Sequence, residues 1–227
     1  MAQPILIIAD SGTGKSTSIR HLNPDETFIV NIANKPLPFK GWKNNYTTIS
    51  KENPEGNMAS TSSAAGIIKA IKHVDEKRPA IKTLIIDDWQ YMSSFEYFDR
   101  ANEKGYDKFT QIAANLAMVA KSPKDLRDDL TVFFLTHSED STDINGNRKI
   151  KAKTIGKMID NTLTLEGLFS IVLFGKVNKN DDGELEYGFE TQNNGENTCK
   201  SPQGMFEDFF IPNNLQYVKD CIKKYEE

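Results

Sequence analysis

At 227 residues with 38% hydrophobic content, the chain can bury one sizeable core, and a single domain over residues 1–227 is expected. A net charge of −4 excludes a uniformly basic nucleic-acid binder and leaves room only for a local patch. Cys199 and Cys221, with the scattered His21, His73 and His137, form neither a disulfide framework nor a metal-ligand spacing, and no run of eighteen apolar residues exists, so a reduced, cytoplasmic, membrane-free protein is expected.

The chain opens on Ile5-Leu6-Ile7-Ile8-Ala9, followed by Asp10-Ser11-Gly12-Thr13-Gly14-Lys15-Ser16-Thr17. Four apolar residues entering a glycine-bearing turn predict a buried parallel strand, and Gly14-Lys15-Ser16 completes a phosphate-binding loop in which Ala9 replaces the usual first glycine. Asp10 to Thr17 would cradle the phosphates of ATP. Lys15 would reach the β- and γ-phosphates, the Ser16 hydroxyl would ligate Mg²⁺, and Lys15 onward should open a helix.

Thr27 to Ile32 reads as a second strand, and the Pro36 and Pro38 loop after it brings Asn31, Asn34 and Lys35 to the sheet edge that holds ligands in open α/β folds; the alternative is a plain surface loop. Residues 43–62, rich in Asn, Thr, Ser and Lys, suggest an exposed excursion. Ile67, Ile68, Ile71 and Val74 predict a helix from Ser63 to Arg78 with His73 off its apolar stripe.

Thr83 to Ile86 is a buried strand ending in Asp87-Asp88. A carboxylate fixed at a strand end beside a phosphate loop assigns Asp87 to Mg²⁺, while Asp88 either polarises the attacking water or caps the next helix. Helical spacing runs from Trp89 to Lys121, interrupted at residues 102–106, and its aromatics Phe95, Phe98 and Phe109 read as core. Thr131 to Thr136 is a further strand delivering His137 to the Asp87 edge, as a γ-phosphate sensor or a structural histidine.

Beyond it the charge changes sign: Glu139, Asp140 and Asp143 precede the turn signal Asn145-Gly146, then Arg148, Lys149, Lys151, Lys153 and Lys157 follow. The cations form a candidate DNA-binding segment or a solvated hairpin. A helix over 159–168, a strand over 169–177, a return strand over 184–192 and a last helix over 213–225 complete the reading, with antiparallel strands appended to a parallel sheet.

The phosphate loop over Ala9–Thr17, the Leu84–Asp88 strand end and Phe133–His137 resemble the RecA-like P-loop ATPase core, and more closely the phage-type proteins of that core that act as single-strand annealing recombinases. The resemblance spans nearly the whole chain and implies an α/β fold, ATP with Mg²⁺, homo-oligomers with nucleotide near their interfaces, single-stranded DNA on the loop after His137, and a single-strand-binding protein as partner. It also implies that Lys200 reaches the neighbouring subunit's nucleotide. One departure stands out: the glutamate such cores place after the second strand is absent between Asn31 and Lys35. Two further readings remain open, a nucleotide-gated DNA-binding module with little turnover and a P-loop small-molecule kinase.

Overall fold

The computed structural model describes residues 2–142, 146, 148–156 and 163–227. Its strands are β1 (Gln3–Ala9), β2 (Thr27–Asn31), β3 (Met58–Ala59), β4 (Thr83–Asp87), β5 (Thr131–Thr142), β6 (Arg148–Ala152), β7 (Ile171–Lys179), β8 (Leu185–Glu190) and β9 (Phe210–Pro212). The helices are α1 (Trp42–Asn45), α2 (Ala64–Lys77), α3 (Gln90–Asp99), α4 (Asp107–Lys121) and α5 (Leu215–Glu226). The strands lie in the order β3-β2-β4-β5-β1-β7-β8-β9, with β6 paired to β5 off this path. From β3 to β7 neighbouring strands are parallel, while β7, β8 and β9 form an antiparallel meander.

The central strands are unbroken apolar runs because both faces of the sheet are covered. Side chains alternate with a period of two: Leu6, Ile8, Leu84, Ile86, Val132 and Phe134 face the core closed by α2 and α4, with Trp89 and Phe169 among them. Ile5, Ile7, Ile85, Phe133 and Leu135 face the opposite core, which Ile19 and the α5 residues Leu215, Val218 and Ile222 close. Ser63 caps α2 by accepting from Gly66 N at 3.1 Å, so that helix begins where its sequence places it.

Several expectations are corrected. The segment after Lys15 is a six-residue 3₁₀ helix, Ser16–His21, and not an α-helix. Ser18 Oγ donates to Lys15 O at 2.5 Å, a local bond that competes with helical pairing, and Asn23-Pro24 forces extended backbone directly after Leu22. The 43–62 excursion is mostly exposed, as expected, and it is anchored: Asn57 accepts from Thr47 N and donates to Pro24 O and Asn45 O, and Tyr46 and Met58 are buried. Phe98 is 69% exposed and Phe95 36%, so neither is core; Phe98 stands edge-on to Tyr97, and Phe95 stacks on Tyr91. Strand β5 continues six residues past Thr136. Of the helix expected over 159–168, the described end is a 3₁₀ turn, Leu165–Leu168; its earlier part and Lys157 lie outside the described residues.

Candidate nucleotide site

Strand β5 lies between β1, which carries the phosphate loop, and β4, which ends in Asp87, so His137 stands beside Ala9 at the same sheet edge. The replacement of the loop's first glycine has a local cause. Ala9 pairs with Gly175 on β7, and a Cβ at Gly175 would lie 2.7 Å from that of Ala9. The alanine methyl occupies the space that the neighbouring strand's glycine leaves. Gly12 and Gly14 hold φ of 84° and 86°, the left-handed backbone that lets the loop curl.

A cavity of about 460 Å³ opens over the loop, lined by Ser11, Gly12, Gly14, Lys15, Ser16 and Thr17 together with Lys35, Asp88 and His137. Lys15 is buried, its Nζ donating to Ala9 O at 3.3 Å and lying 3.5 Å from His137 Nδ1; burial pulls its pKa below the ordinary lysine value. Ser16 Oγ donates to Asp87 Oδ1 at 2.9 Å. Burial, reinforced by the adjacent Asp88 charge, pushes the Asp87 carboxyl up to about 6 against the pull of Ser16, Lys15 and Lys35. A hard hydroxyl and a carboxylate touching each other beside a phosphate loop fit Mg²⁺, which takes one or two protein oxygens and fills its remaining positions from phosphates and water. Ser16 and Asp87 would hold it, and the ion would neutralise charge on the β- and γ-phosphates.

Asp88 is not the cap of α3; that position is Trp89, with no side-chain capping bond. At φ 59° it turns its carboxylate into the cavity, 2.5 Å from Lys35 Nζ and 3.5 Å from His137 Nε2. Burial alone would raise its pKa, yet the hydrogen bonds from His137 and Lys35 and the charges of Lys35 and Lys15 hold it down at about 2. Asn31 explains how Lys35 gets there: its Nδ2 donates to Lys35 O at 2.6 Å and its Oδ1 accepts from Lys35 N, closing the loop on itself. His137 is held from below by Gln90, whose Oε1 accepts from His137 N at 3.1 Å and from Thr136 Oγ1.

Asp10 and Thr13 do not line this cavity. Thr13 Oγ1 donates to Asp10 O, and the Asp10 carboxylate accepts from Ser138 Oγ at the base of the β5–β6 hairpin. That hairpin is the predicted charge-switching segment, and its register places Glu139 opposite Lys151. Lys151 Nζ lies 3.1 Å from Glu139 Oε1, and Arg148 Nε donates to Asp140 Oδ1 at 2.8 Å. Lys149 Nζ reaches Gly195 O at 3.5 Å, and Lys153 is exposed, its backbone N donating to His137 O. Lys200 is not at the cavity: its backbone pairs with Val172, which lies beside Leu6, three residues below Ala9 along the sheet. The sequence reading missed Arg20, Tyr187 and Asn213, which also line the cavity. Only Arg20, in the 3₁₀ helix that follows Lys15, carried a usable signal.

Residues 1–203 match the AAA domain family. The chain belongs to the AAA domain family. As a member it is a P-loop ATPase. Among solved structures, this AAA domain is similar to the genome packaging NTPase B204 from Sulfolobus turreted icosahedral virus 2 in complex with ATP-gammaS, at 10% identity and a TM-score of 0.40 over 80% of this chain and 78% of that one. It is also similar to the Legionella pneumophila ATPase DotB, at 11% identity and a TM-score of 0.37 over 83% of this chain and 45% of that one. No curated protein matches it. Among its described residues no helix is long and apolar enough to cross a membrane, and no group of three or more His, Cys, Asp or Glu could hold a metal ion by itself.

Proposed function

We propose that this AAA domain binds ATP with Mg²⁺ and uses the nucleotide state to control a single-stranded-DNA contact on its β5–β6 hairpin, in annealing or recombination of phage type. The observation that carries the reading is continuity. The hairpin is β5 itself prolonged past His137, and Ser138 ties its base to Asp10 of the phosphate loop, so a shift in the loop reaches the cations through one strand. Asn31 is spent on clamping its own loop and Asp88 is paired to Lys35 and His137, so basal hydrolysis is slow and rises when DNA reorganises this edge. Assembly into homo-oligomers, with Lys200 reaching a neighbouring nucleotide and a single-strand-binding protein assisting, belongs to the same proposal.

Because Arg148 and Lys151 already have carboxylate partners, a strand of DNA gains most from Lys149 and Lys153. Each phosphate contact on a single strand contributes roughly 0.7 to the slope of log affinity against log salt. Fluorescence anisotropy of a labelled oligonucleotide across a salt series, with a non-hydrolysable ATP analogue, should therefore show the Lys149, Lys151, Lys153 triple alanine variant with a slope flatter by about 1 to 2. A phosphate-release assay with and without DNA completes the test. Overlapping salt curves would reduce the hairpin to solvated surface, and no binding by the wild type would shift the reading to a phosphotransferase.

A further inference from the structure

We infer that Asn213 and Tyr187 form the nucleoside end of the ATP site, Asn213 donating to an acceptor on the base or ribose and Tyr187 offering its ring to the base. The inference rests on the ATP-binding reading and deepens it. Both residues line the cavity, Asn213 beside Gly14 and joined through Arg20 to Thr17 at the end of the phosphate loop, and they are held together where the C-terminal meander ends, Asn213 N donating to Tyr187 O at 3.1 Å.

Asn213 is 4% exposed and its Nδ2 is buried without a hydrogen-bond partner. Exchanging its amide oxygen and nitrogen would not repair this, because Arg20 Nη1 donates to Asn213 Oδ1 at 3.1 Å and a flipped amide would set donor against donor. Arg20 is itself braced on Thr17 O at 3.0 Å, so the last residue of the phosphate loop fixes the amide orientation. A buried amide N–H₂ left unpaired is costly, and a residue so placed against the loop is accounted for by a ligand acceptor. The approach is close: a Cβ at Gly14 would lie 3.2 Å from Asn213 Nδ2.

Tyr187 is 42% exposed and lines the cavity, an aromatic ring of the kind on which a planar base stacks. With Oδ1 committed to Arg20, Asn213 has only a donor to give, so it reads a ring nitrogen or a ribose oxygen and not an exocyclic amino group.

The test is isothermal titration of ATP and of inorganic tripolyphosphate, both with Mg²⁺, into the wild type, Asn213→Leu and Tyr187→Leu. Leucine keeps the asparagine's branching and number of side-chain heavy atoms in a somewhat larger side chain, and it removes the unpaired donor together with the acceptor that Arg20 uses. If Asn213→Leu fails to fold, Tyr187→Leu at its exposed position carries the test. Wild-type protein should bind ATP about tenfold or more tighter than tripolyphosphate, and each variant should lose about tenfold for ATP with tripolyphosphate unchanged. Equal loss for both ligands would mean a structural role only, and an unchanged ATP preference would overturn the assignment. Failure of the wild type to bind either ligand would overturn the ATP site itself.

Discussion

Asp87 sets function against stability, and the conflict can be measured. Its carboxyl is buried beside Asp88 and is pushed up to about 6, some 2 pH units above its ordinary value of 3.8. At about 1.4 kcal/mol per unit, keeping it ionised at neutral pH costs the folded chain up to about 3 kcal/mol. Below about pH 4 the carboxyl is protonated in both folded and unfolded chains and the cost vanishes. Between about 4 and 6 the unfolded chain releases the proton while the folded chain retains it, so the cost grows with pH and is complete above about 6. Asp87→Asn removes the charge and keeps an acceptor for Ser16. Without nucleotide the variant should therefore be more stable than the wild type at pH 7.5, by up to about 3 kcal/mol. That is a Tm rise of roughly 5 °C or more for a domain of this size. Thermal melts at pH 5 and 7.5 should show the advantage shrinking at the lower pH. Mg²⁺ and ATP at about a hundred times Kd should then stabilise the wild type by about 2.7 kcal/mol and the variant far less. An Asn variant less stable than wild type at pH 7.5, or an advantage equal at both pH values, would refute the reasoning.

Lys15→Ala removes a buried cation whose pKa is depressed by burial, so the fold should persist by circular dichroism while ATP affinity in a titration falls by about a hundredfold or more. Gly175→Ala should cost about 1–3 kcal/mol in chemical denaturation and weaken nucleotide binding, because its methyl would meet that of Ala9; adding Ala9→Gly should recover most of both losses.

Much of this was legible because the central strands are buried on both faces: Leu6 to Ile8, Leu84 to Ile86 and Val132 to Leu135 need apolar side chains in either direction, and such runs stand out in a sequence. The loop and Asp87 were legible for a different reason, since phosphate and Mg²⁺ chemistry admits few residue types. What escaped depends on register and on tertiary placement. Phe95 and Phe98 follow helical spacing, yet α3 packs its Met92 face inward and leaves them at the surface. The acids and cations after His137 are plain in the sequence, but only the pairing of Thr142 with Arg148 sets Glu139 across from Lys151 and Asp140 diagonal to Arg148. Asn213 read as a helix boundary, and it is Asn214 that caps α5, leaving Asn213 to the cavity.

The paired cations bear on how DNA would be held. With Arg148 and Lys151 committed to carboxylates and a chain charge of −4, one hairpin supplies few phosphate contacts and only a weak site. Tight binding then requires several hairpins on one strand, where each contact after the first is intramolecular and overall affinity can exceed a single contact by 10²–10⁴. Affinity should therefore rise steeply with oligonucleotide length. Short oligonucleotides of about eight nucleotides should bind weakly and without cooperativity, while strands of about forty should bind at least a hundredfold tighter with a sigmoidal dependence on protein concentration. Anisotropy titrations over a length series, with the non-hydrolysable analogue present, give both quantities. An affinity that grows only in proportion to the number of available sites would mean that each subunit binds alone, and the oligomeric reading of the hairpin would fail.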